Sequence, residues 1–258
     1  MAFQIIRHAF AMIFGNLGQA LRVSVGPYVM LIGIFAVVFG ALGISADLDQ
    51  IALAGRVQPD QIGLSAGEAF FAVLVLLTST LFIAAWVAVA WHRFILLEEY
   101  SGLLPAVSGR PIWPYIARTL LCALIMFVLA LGGLLILSVV GIISALLMAI
   151  LGIVLTVLLS VVWFRIGVSL PSVAVGKPVT VGDAWNATSP VSGTIFGIVM
   201  IIVVVNFVVG VATQGLYGLS PILGMVVDIF VQWVTLMVGV SVLTTLYGHL
   251  IEGRPLID

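Results

Sequence analysis

Four polar side chains within long apolar segments are the residues best placed to do chemistry in this chain. Asp228 and Gln232 are four positions apart and Thr235 follows three positions later, so a helix places all three on one face. Asn206 lies at a comparable depth in the preceding apolar segment. Polar residues at such positions often mark a solute or ion pathway. The four therefore predict a polar site for a small solute or a lipid headgroup.

Packing is the alternative role for these side chains, and the sequence favours it. Hydrogen bonds between membrane helices contribute about 0.6 to 2 kcal/mol each and are common, and Asn206 is placed to bond Gln232 or Thr235 across a hairpin. Residues 78–80, Thr-Ser-Thr, reach a similar depth and would complete a polar cavity. Asp228 is expected near the membrane boundary, because a central charge costs about 2.5 to 3.5 kcal/mol.

Two histidines are the only candidates for a metal site. His92 and His249 follow long apolar segments, at a depth close to Glu98, Glu99 and Glu252. Their spacing matches none of the usual metal-ligand patterns, and interfacial hydrogen bonding is the commoner role. We therefore expect no metal, haem or other cofactor. The sequence carries no catalytic motif, so we expect no enzyme activity.

Composition identifies the medium in which the chain folds. Hydrophobic residues make up 63% of the chain and charged residues 7%, with a mean hydropathy of +1.36, whereas soluble domains carry about 25% charged residues. The uncharged stretch 119–164 holds 46 residues. It would form a helix of roughly 69 Å, enough to cross a core of about 30 Å twice. We predict a hairpin that turns near residues 139–142.

The whole pattern predicts an all-α polytopic membrane protein, a single domain over 1–258 with six transmembrane helices and amphipathic helices at the membrane surface. Pro27 is expected near the start of the first helix, where a missing N–H costs least. The predicted spans are 27–44, 69–91, 115–138, 142–164, 193–216 and 225–247. The apolar part of the first span begins too late for an ordinary cleaved leader.

The basic residues orient these spans through the positive-inside rule. Eight fall on the side of the termini: Arg7, Arg22, Arg93, Arg110, Arg118, Arg165, Lys177 and Arg254. That side is predicted to be cytoplasmic. The loop 45–68 has Arg56 as its one basic residue, and its acids are Asp47, Asp49, Asp60 and Glu68. This loop is predicted to face outward.

Three segments on the cytoplasmic side are predicted to lie in the headgroup layer. Residues 1–22 have the apolar spacing of an amphipathic helix, and residues 97–118 carry aromatic residues between prolines. Residues 171–190 contain Thr180 and Asp183, spaced as a helix-capping pair. Each segment precedes a hairpin, which divides the chain into the units 1–91, 92–165 and 166–258.

Two stretches resemble a six-span family of bacterial inner-membrane proteins that includes the membrane domain fused to some glycerophosphodiester phosphodiesterases. One is 90–99, AWHRFILLEE; the other begins at Trp163. The second stretch matches the family pattern at Arg165, Pro171, Ala184, Trp185 and Thr188. The resemblance implies a bacterial inner membrane and a lipid or envelope role. The phosphodiesterase domain itself is absent.

The functional expectation is a non-catalytic accessory or structural protein, or a factor in envelope lipid homeostasis. The alternative is a small-solute transporter or channel whose site lies between the fifth and sixth helices. Membrane lipids and a larger membrane complex are the expected partners, with Arg93, Arg165 and Trp185 as interfacial contacts. Nucleic acid is excluded, because the net charge is −1 and the basic residues are scattered.

Overall fold

The computed structural model describes residues 1–43 and 64–256, and the secondary structure of this part of the chain is helical, without strands. The helices are α1 Ala2–Gly15, α2 Leu17–Ala41, α3 Ala66–Leu97, α4 Ile112–Ile143, α5 Ala145–Gly167, α6 Ser169–Ala174, α7 Val181–Thr188, α8 Ser192–Leu219 and α9 Pro221–Leu250. Six of them, α2 to α5, α8 and α9, are long and apolar enough to cross a membrane. The all-α polytopic fold is confirmed. Most of the predicted outward loop, including Arg56, Asp47, Asp49 and Asp60, lies outside the described residues.

The six spans pair along the chain as three hairpins: α2 with α3, α4 with α5, and α8 with α9. Single serines form the last two turns. Ser144 and Ser220 have extended backbone, and each hydroxyl oxygen accepts a hydrogen bond from the backbone N–H three residues later. The predicted turn at 139–142 is therefore placed too early. An N-cap serine that satisfies a free N–H determines the break.

The six spans place the N-terminal helix α1 and the C-terminal segment on one side of the membrane, called here the terminal side. Five spans form a closed ring in the order α3, α4, α5, α8, α9, and α2 packs outside it against α3. Buried side chains concentrate in the terminal half. In α9 they run from Met237 to Gly248 with a single gap, and in α4 the last one is Cys122. The protein core formed by buried side chains therefore lies mainly in the terminal half of the ring.

Helix α1 is shorter and more deeply packed than the predicted interfacial helix 1–22. It ends at Gly15, and Leu17 already begins the first span. Ile5, Ala9 and Ile13 are buried, on a helix that packs against α8 and α9. Of the predicted apolar face, Ile6 and Ile13 are buried against protein and Phe10 is half-buried, whereas Phe3, Leu17 and Leu21 stay exposed.

The first span also differs from its prediction, because Pro27 lies inside α2. A membrane helix tolerates an internal proline where neighbouring groups satisfy the freed backbone. Ser24 lies three residues before the proline, and its hydroxyl donates to the Ala20 carbonyl at 2.7 Å. The same hydroxyl oxygen accepts the Trp233 indole N–H at 2.9 Å, which joins α2 to α9.

The second predicted interfacial segment, 97–118, forms no helix between 98 and 111. It is an irregular strap that crosses the terminal end of α2. The Trp86 indole N–H donates to the Pro105 carbonyl at 3.1 Å, and the Gln19 amide donates to the Ser101 carbonyl at 3.2 Å. The strap lies so close to Gly26 that a Cβ there would be 1.9 Å from the Leu103 carbonyl oxygen. Glycine at this position is a steric requirement.

Candidate lipid-binding pocket

A cavity of about 420 Å³ lies inside the ring of five spans. Its wall receives side chains from every ring helix and from α1, and nearly all are apolar. Helix α3 contributes small residues, which leave the space unfilled. They are Ala84, Ala85 and Ala88. The volume falls within the usual range of about 300 to 1,000 Å³ for small-molecule sites.

The cavity is closed on the terminal side and open towards the middle of the membrane. Its terminal end is formed by buried side chains, Tyr115, Phe164 and Leu243, with 4%, 7% and 4% of their surface exposed. Asn206 and Thr235, by contrast, are exposed and lie near the midpoints of α8 and α9. The cavity is therefore a blind pocket with its mouth in the hydrocarbon region.

The depth of the pocket matches one leaflet of a bilayer. Leu243 at the closed end and Thr235 at the mouth are separated by eight residues of α9. At about 1.5 Å per residue this is roughly 12 Å, against about 15 Å for half of a hydrocarbon core. The pocket is therefore about as deep as one leaflet of hydrocarbon.

Three polar residues of α9, Asp228, Gln232 and Thr235, form a polar stripe that runs from the mouth of the pocket towards the side opposite the termini. The Gln232 amide donates to the Asp228 carboxylate at 3.0 Å, which confirms that these residues share a face. Thr235 lies on that face within about 60° and contributes to the pocket wall. The stripe therefore ends at the mouth of the pocket.

Asn206 enters the wall from α8 but does not bond as expected. Its side chain makes no hydrogen bond with another described residue, and Gln232, its expected partner, bonds within its own helix. Thr78, also predicted to line a polar cavity, donates instead to backbone carbonyls of its own helix and lies outside the pocket. Leu81 takes its place in the wall. The pocket is thus more apolar than the sequence predicts, with polar groups confined to its ends.

The closed end carries a hydrogen-bonded chain that the sequence did not reveal. His92 is fully buried, with its Nδ1 2.8 Å from the Thr244 hydroxyl and its Nε2 3.2 Å from the Tyr115 hydroxyl. The Thr244 hydroxyl donates to the Val240 carbonyl, so Nδ1 carries the proton and Nε2 accepts from Tyr115. His92 links α3, α4 and α9. His249 bonds separately to the Arg254 carbonyl at 3.0 Å, so the two histidines do not form one site.

Four of the arginines that predict the topology also connect different segments on the terminal side through hydrogen bonds. Each donates from its guanidinium to a backbone carbonyl of a different segment: Arg93 to Ala174, Arg118 to Val179, Arg165 to Trp185 and Arg254 to Leu96. Arg93 also pairs with Glu99 at 2.7 Å, and Glu99 pairs with Arg110. The interfacial segments are therefore fixed to the ends of the spans.

Arg165 and Trp185 contact each other at the junction of α5 and α7. The guanidinium carbon lies 3.4 Å from the centre of a Trp185 ring, and its nitrogens donate to the hydroxyls of Thr188 and Ser189. Helix α7 begins with the predicted capping pair, since Thr180 and Asp183 bond reciprocally. Arg93 belongs to the separate cluster with Glu99. Within the described part of the chain, Arg165 has no acidic partner.

A second capping box, not predicted from the sequence, lies at the start of α3. The Ser65 hydroxyl oxygen accepts from the Glu68 N–H, and the Glu68 carboxylate accepts from the Ser65 N–H at 2.9 Å. The serine-x-x-glutamate spacing before an apolar run is the signal for this motif. It fixes the start of α3 on the side opposite the termini.

Comparison with protein-family models, curated proteins and solved structures finds no significant match. The family resemblance of the two stretches at 90–99 and from Trp163 stays a prediction. The described chain is that of a multi-pass integral membrane protein, and its pocket is the feature from which a function is argued.

Proposed function

We propose that this protein is a non-catalytic accessory protein of the bacterial inner membrane that takes part in lipid homeostasis by binding a membrane lipid inside its ring of helices. Both termini are cytoplasmic in this proposal, so the terminal side is the inner face. The blind apolar pocket of about 420 Å³ is the observation that supports it.

The pocket favours hydrocarbon over water. A buried water needs two to four polar partners, whereas the inner part of this pocket presents alanine, leucine and valine side chains. An empty space would lose the dispersion contacts of the wall. The mouth opens at mid-membrane, where hydrocarbon chains are the abundant molecules. A lipid chain is therefore the expected occupant.

Arg165 gives a second reason to expect lipid contact. Its guanidinium bonds to neutral groups and stacks on Trp185, at the end of the span α5. A tryptophan beside an arginine at this level suits the headgroup layer, and anionic headgroups attract basic residues there. Arg165 and Trp185 would hold the inner face against phosphate groups of the bilayer.

Transport of a small polar solute is the second candidate, and the polar stripe of Asp228, Gln232 and Thr235 favours it. A transport path needs polar groups on both sides of the site. Here the stripe meets an apolar pocket that Tyr115 and Leu243 close. Lipid binding accounts for both the stripe and the closed pocket, so we prefer it.

Filling the pocket tests lipid binding directly. Gly239 lines the pocket, and a Cβ there meets no atom within 4 Å, so Gly239→Leu adds a side chain without a backbone clash. We expect this variant to lose at least about half of the lipid that the wild-type protein retains after detergent purification. The measurement is mass spectrometry of extracted lipids per mole of protein.

Gly132→Leu is the matched control for this experiment. Gly132 is exposed on α4 with no atom within 4 Å of a Cβ, so its leucine would face the bilayer. We expect its retained lipid to equal that of wild type. If Gly239→Leu and Gly132→Leu retain the same lipid in the same amount, the pocket is not the binding site.

Reporter fusions test the orientation. We expect alkaline phosphatase to be active after Asp60 and Ser220, and a fluorescent protein to fold only after Lys177, because the basic residues lie on the side of Lys177. The comparison is enzyme activity and fluorescence per fusion molecule in cells. Equal activity of the phosphatase after Ser220 and after Lys177 would contradict six spans with cytoplasmic termini.

A further inference from the structure

We propose that the pocket is specific for a single-chain amphiphile with an uncharged, hydrogen-bonding head, such as an alcohol, a glycerol ester or an amide. The chain occupies the pocket, and the head lies at its mouth between Asn206 and Thr235. This inference rests on the proposed lipid binding and names the class of lipid.

The position of the polar groups supports an amphiphile rather than a plain hydrocarbon. Asn206 and Thr235 are the polar side chains at the mouth, and they approach it from two different helices. The Asn206 amide carries two donors and an acceptor, and it makes no hydrogen bond with another described residue. A head placed between these side chains would satisfy the amide in a medium that offers few other partners.

The volume supports one chain. A methylene group takes about as much space as a water molecule in the liquid, whose share is about 30 Å³. The 420 Å³ of the pocket therefore holds about fourteen such groups. The space therefore accommodates the greater part of one lipid chain, and a lipid with two chains would leave one of them outside the ring.

Asp228 determines the charge that the head can carry. It lies two helical turns from Thr235 on the same face of α9, towards the side opposite the termini, and it accepts a hydrogen bond from Gln232. Within the described residues no basic side chain forms a salt bridge with it. An anionic head at the mouth would meet this carboxylate in a medium of low dielectric constant, where repulsion between like charges is strong. Neutral heads are favoured over phosphate or sulfate.

Two probes with the same chain test this inference: hexadecanol and hexadecyl phosphate, each radiolabelled and bound to the protein in nanodiscs of uncharged lipid. We expect wild type to bind hexadecanol at least about tenfold more tightly than hexadecyl phosphate. The double variant Asn206→Leu with Thr235→Val should bind hexadecanol about tenfold more weakly. This is the loss of affinity expected when two hydrogen bonds within a membrane are removed. Asp228→Asn should raise the affinity for hexadecyl phosphate about tenfold and leave hexadecanol unchanged.

Control variants separate the outcomes. Thr78→Val, which removes a hydroxyl outside the pocket, should bind both probes like wild type. If Gly239→Leu abolishes binding but the phosphate binds as tightly as the alcohol, the chain site stands and head specificity is overturned. If Gly239→Leu binds hexadecanol normally, lipid binding in the pocket itself is overturned. Asp228→Asn is nearly isosteric, so its result does not depend on a change in packing.

Discussion

Replacing Gly26 with valine is expected to lower the free energy of unfolding by about 3 kcal/mol or more, the range of severe overpacking. A Cβ at this position would lie 1.9 Å from the Leu103 carbonyl oxygen and 2.8 Å from a methyl carbon of Leu104. The first contact is with backbone, which cannot rotate away as a side chain can. The strap 98–111 would have to leave α2, and the Gln19 and Trp86 hydrogen bonds that hold it would be lost.

The measurement is thermal unfolding in mild detergent, with protease sensitivity of the strap as a second readout. Gly18→Val is the matched control, since Gly18 lies in the same helix and a Cβ there meets no atom within 4 Å. Its midpoint should stay within a few degrees of wild type. If both valine variants unfold alike, helix propensity rather than the close approach of the strap is responsible.

Replacing His92 with leucine is expected to lower the free energy of unfolding by about 2 to 4 kcal/mol, the cost of leaving buried polar groups unsatisfied. The imidazole is fully buried and bonds on both nitrogens. Leucine has similar bulk but no polar atom, so the Tyr115 hydroxyl would lose its acceptor at the closed end of the pocket. The contact between α3, α4 and α9 would weaken with it.

His249→Leu provides the comparison, because the His249 ring makes its bond with the Arg254 carbonyl at an exposed position. Its thermal midpoint should fall by less than a third of the shift seen for His92→Leu. A double variant, His92→Leu with Tyr115→Phe, should recover part of the loss by removing the unsatisfied hydroxyl. Failure of the second substitution to recover any stability would contradict the assigned hydrogen bond.

The spans could be predicted from sequence because their signal is local. Twenty consecutive apolar residues determine a membrane helix without reference to the rest of the chain. The pairs Thr180–Asp183 and Asp228–Gln232 were found for the same reason, since both bonds form within one helix or its cap.

The place of Pro27 and the partial burial of α1 were predicted wrongly because both depend on contacts between distant segments. The turn at Ser144 was placed too early for a local reason, since the apolar pattern does not mark the serine that caps the next helix. The face of α1 has the spacing of a surface helix, and only the position of α8 and α9 decides which part of it protein covers. Pro27 remains inside a helix because the surrounding helix bundle supports it. A hydropathy pattern contains none of this information.

The pocket could not be predicted from the sequence for a related reason. Its wall combines residues of five spans and α1, and no single helix sequence determines the order of the helices around the ring. Of the four predicted polar residues, Asn206 and Thr235 line the pocket, and Asp228 and Gln232 lie on the stripe beside it. They gave no sign of the apolar interior, because alanines such as Ala84 and Ala88 are ordinary in a membrane helix.

The length of α3 and α4 has a consequence for the response to bilayer thickness. Each has 32 residues, about 48 Å of helix against a hydrocarbon core of about 30 Å. A helix longer than the core tilts, and the tilt changes when the bilayer thins or thickens. Because the arginine hydrogen bonds fix the helix ends on the terminal side, we expect the helix ends on the opposite side to move. Bilayer thickness would then change the spacing of the helices around the mouth of the pocket.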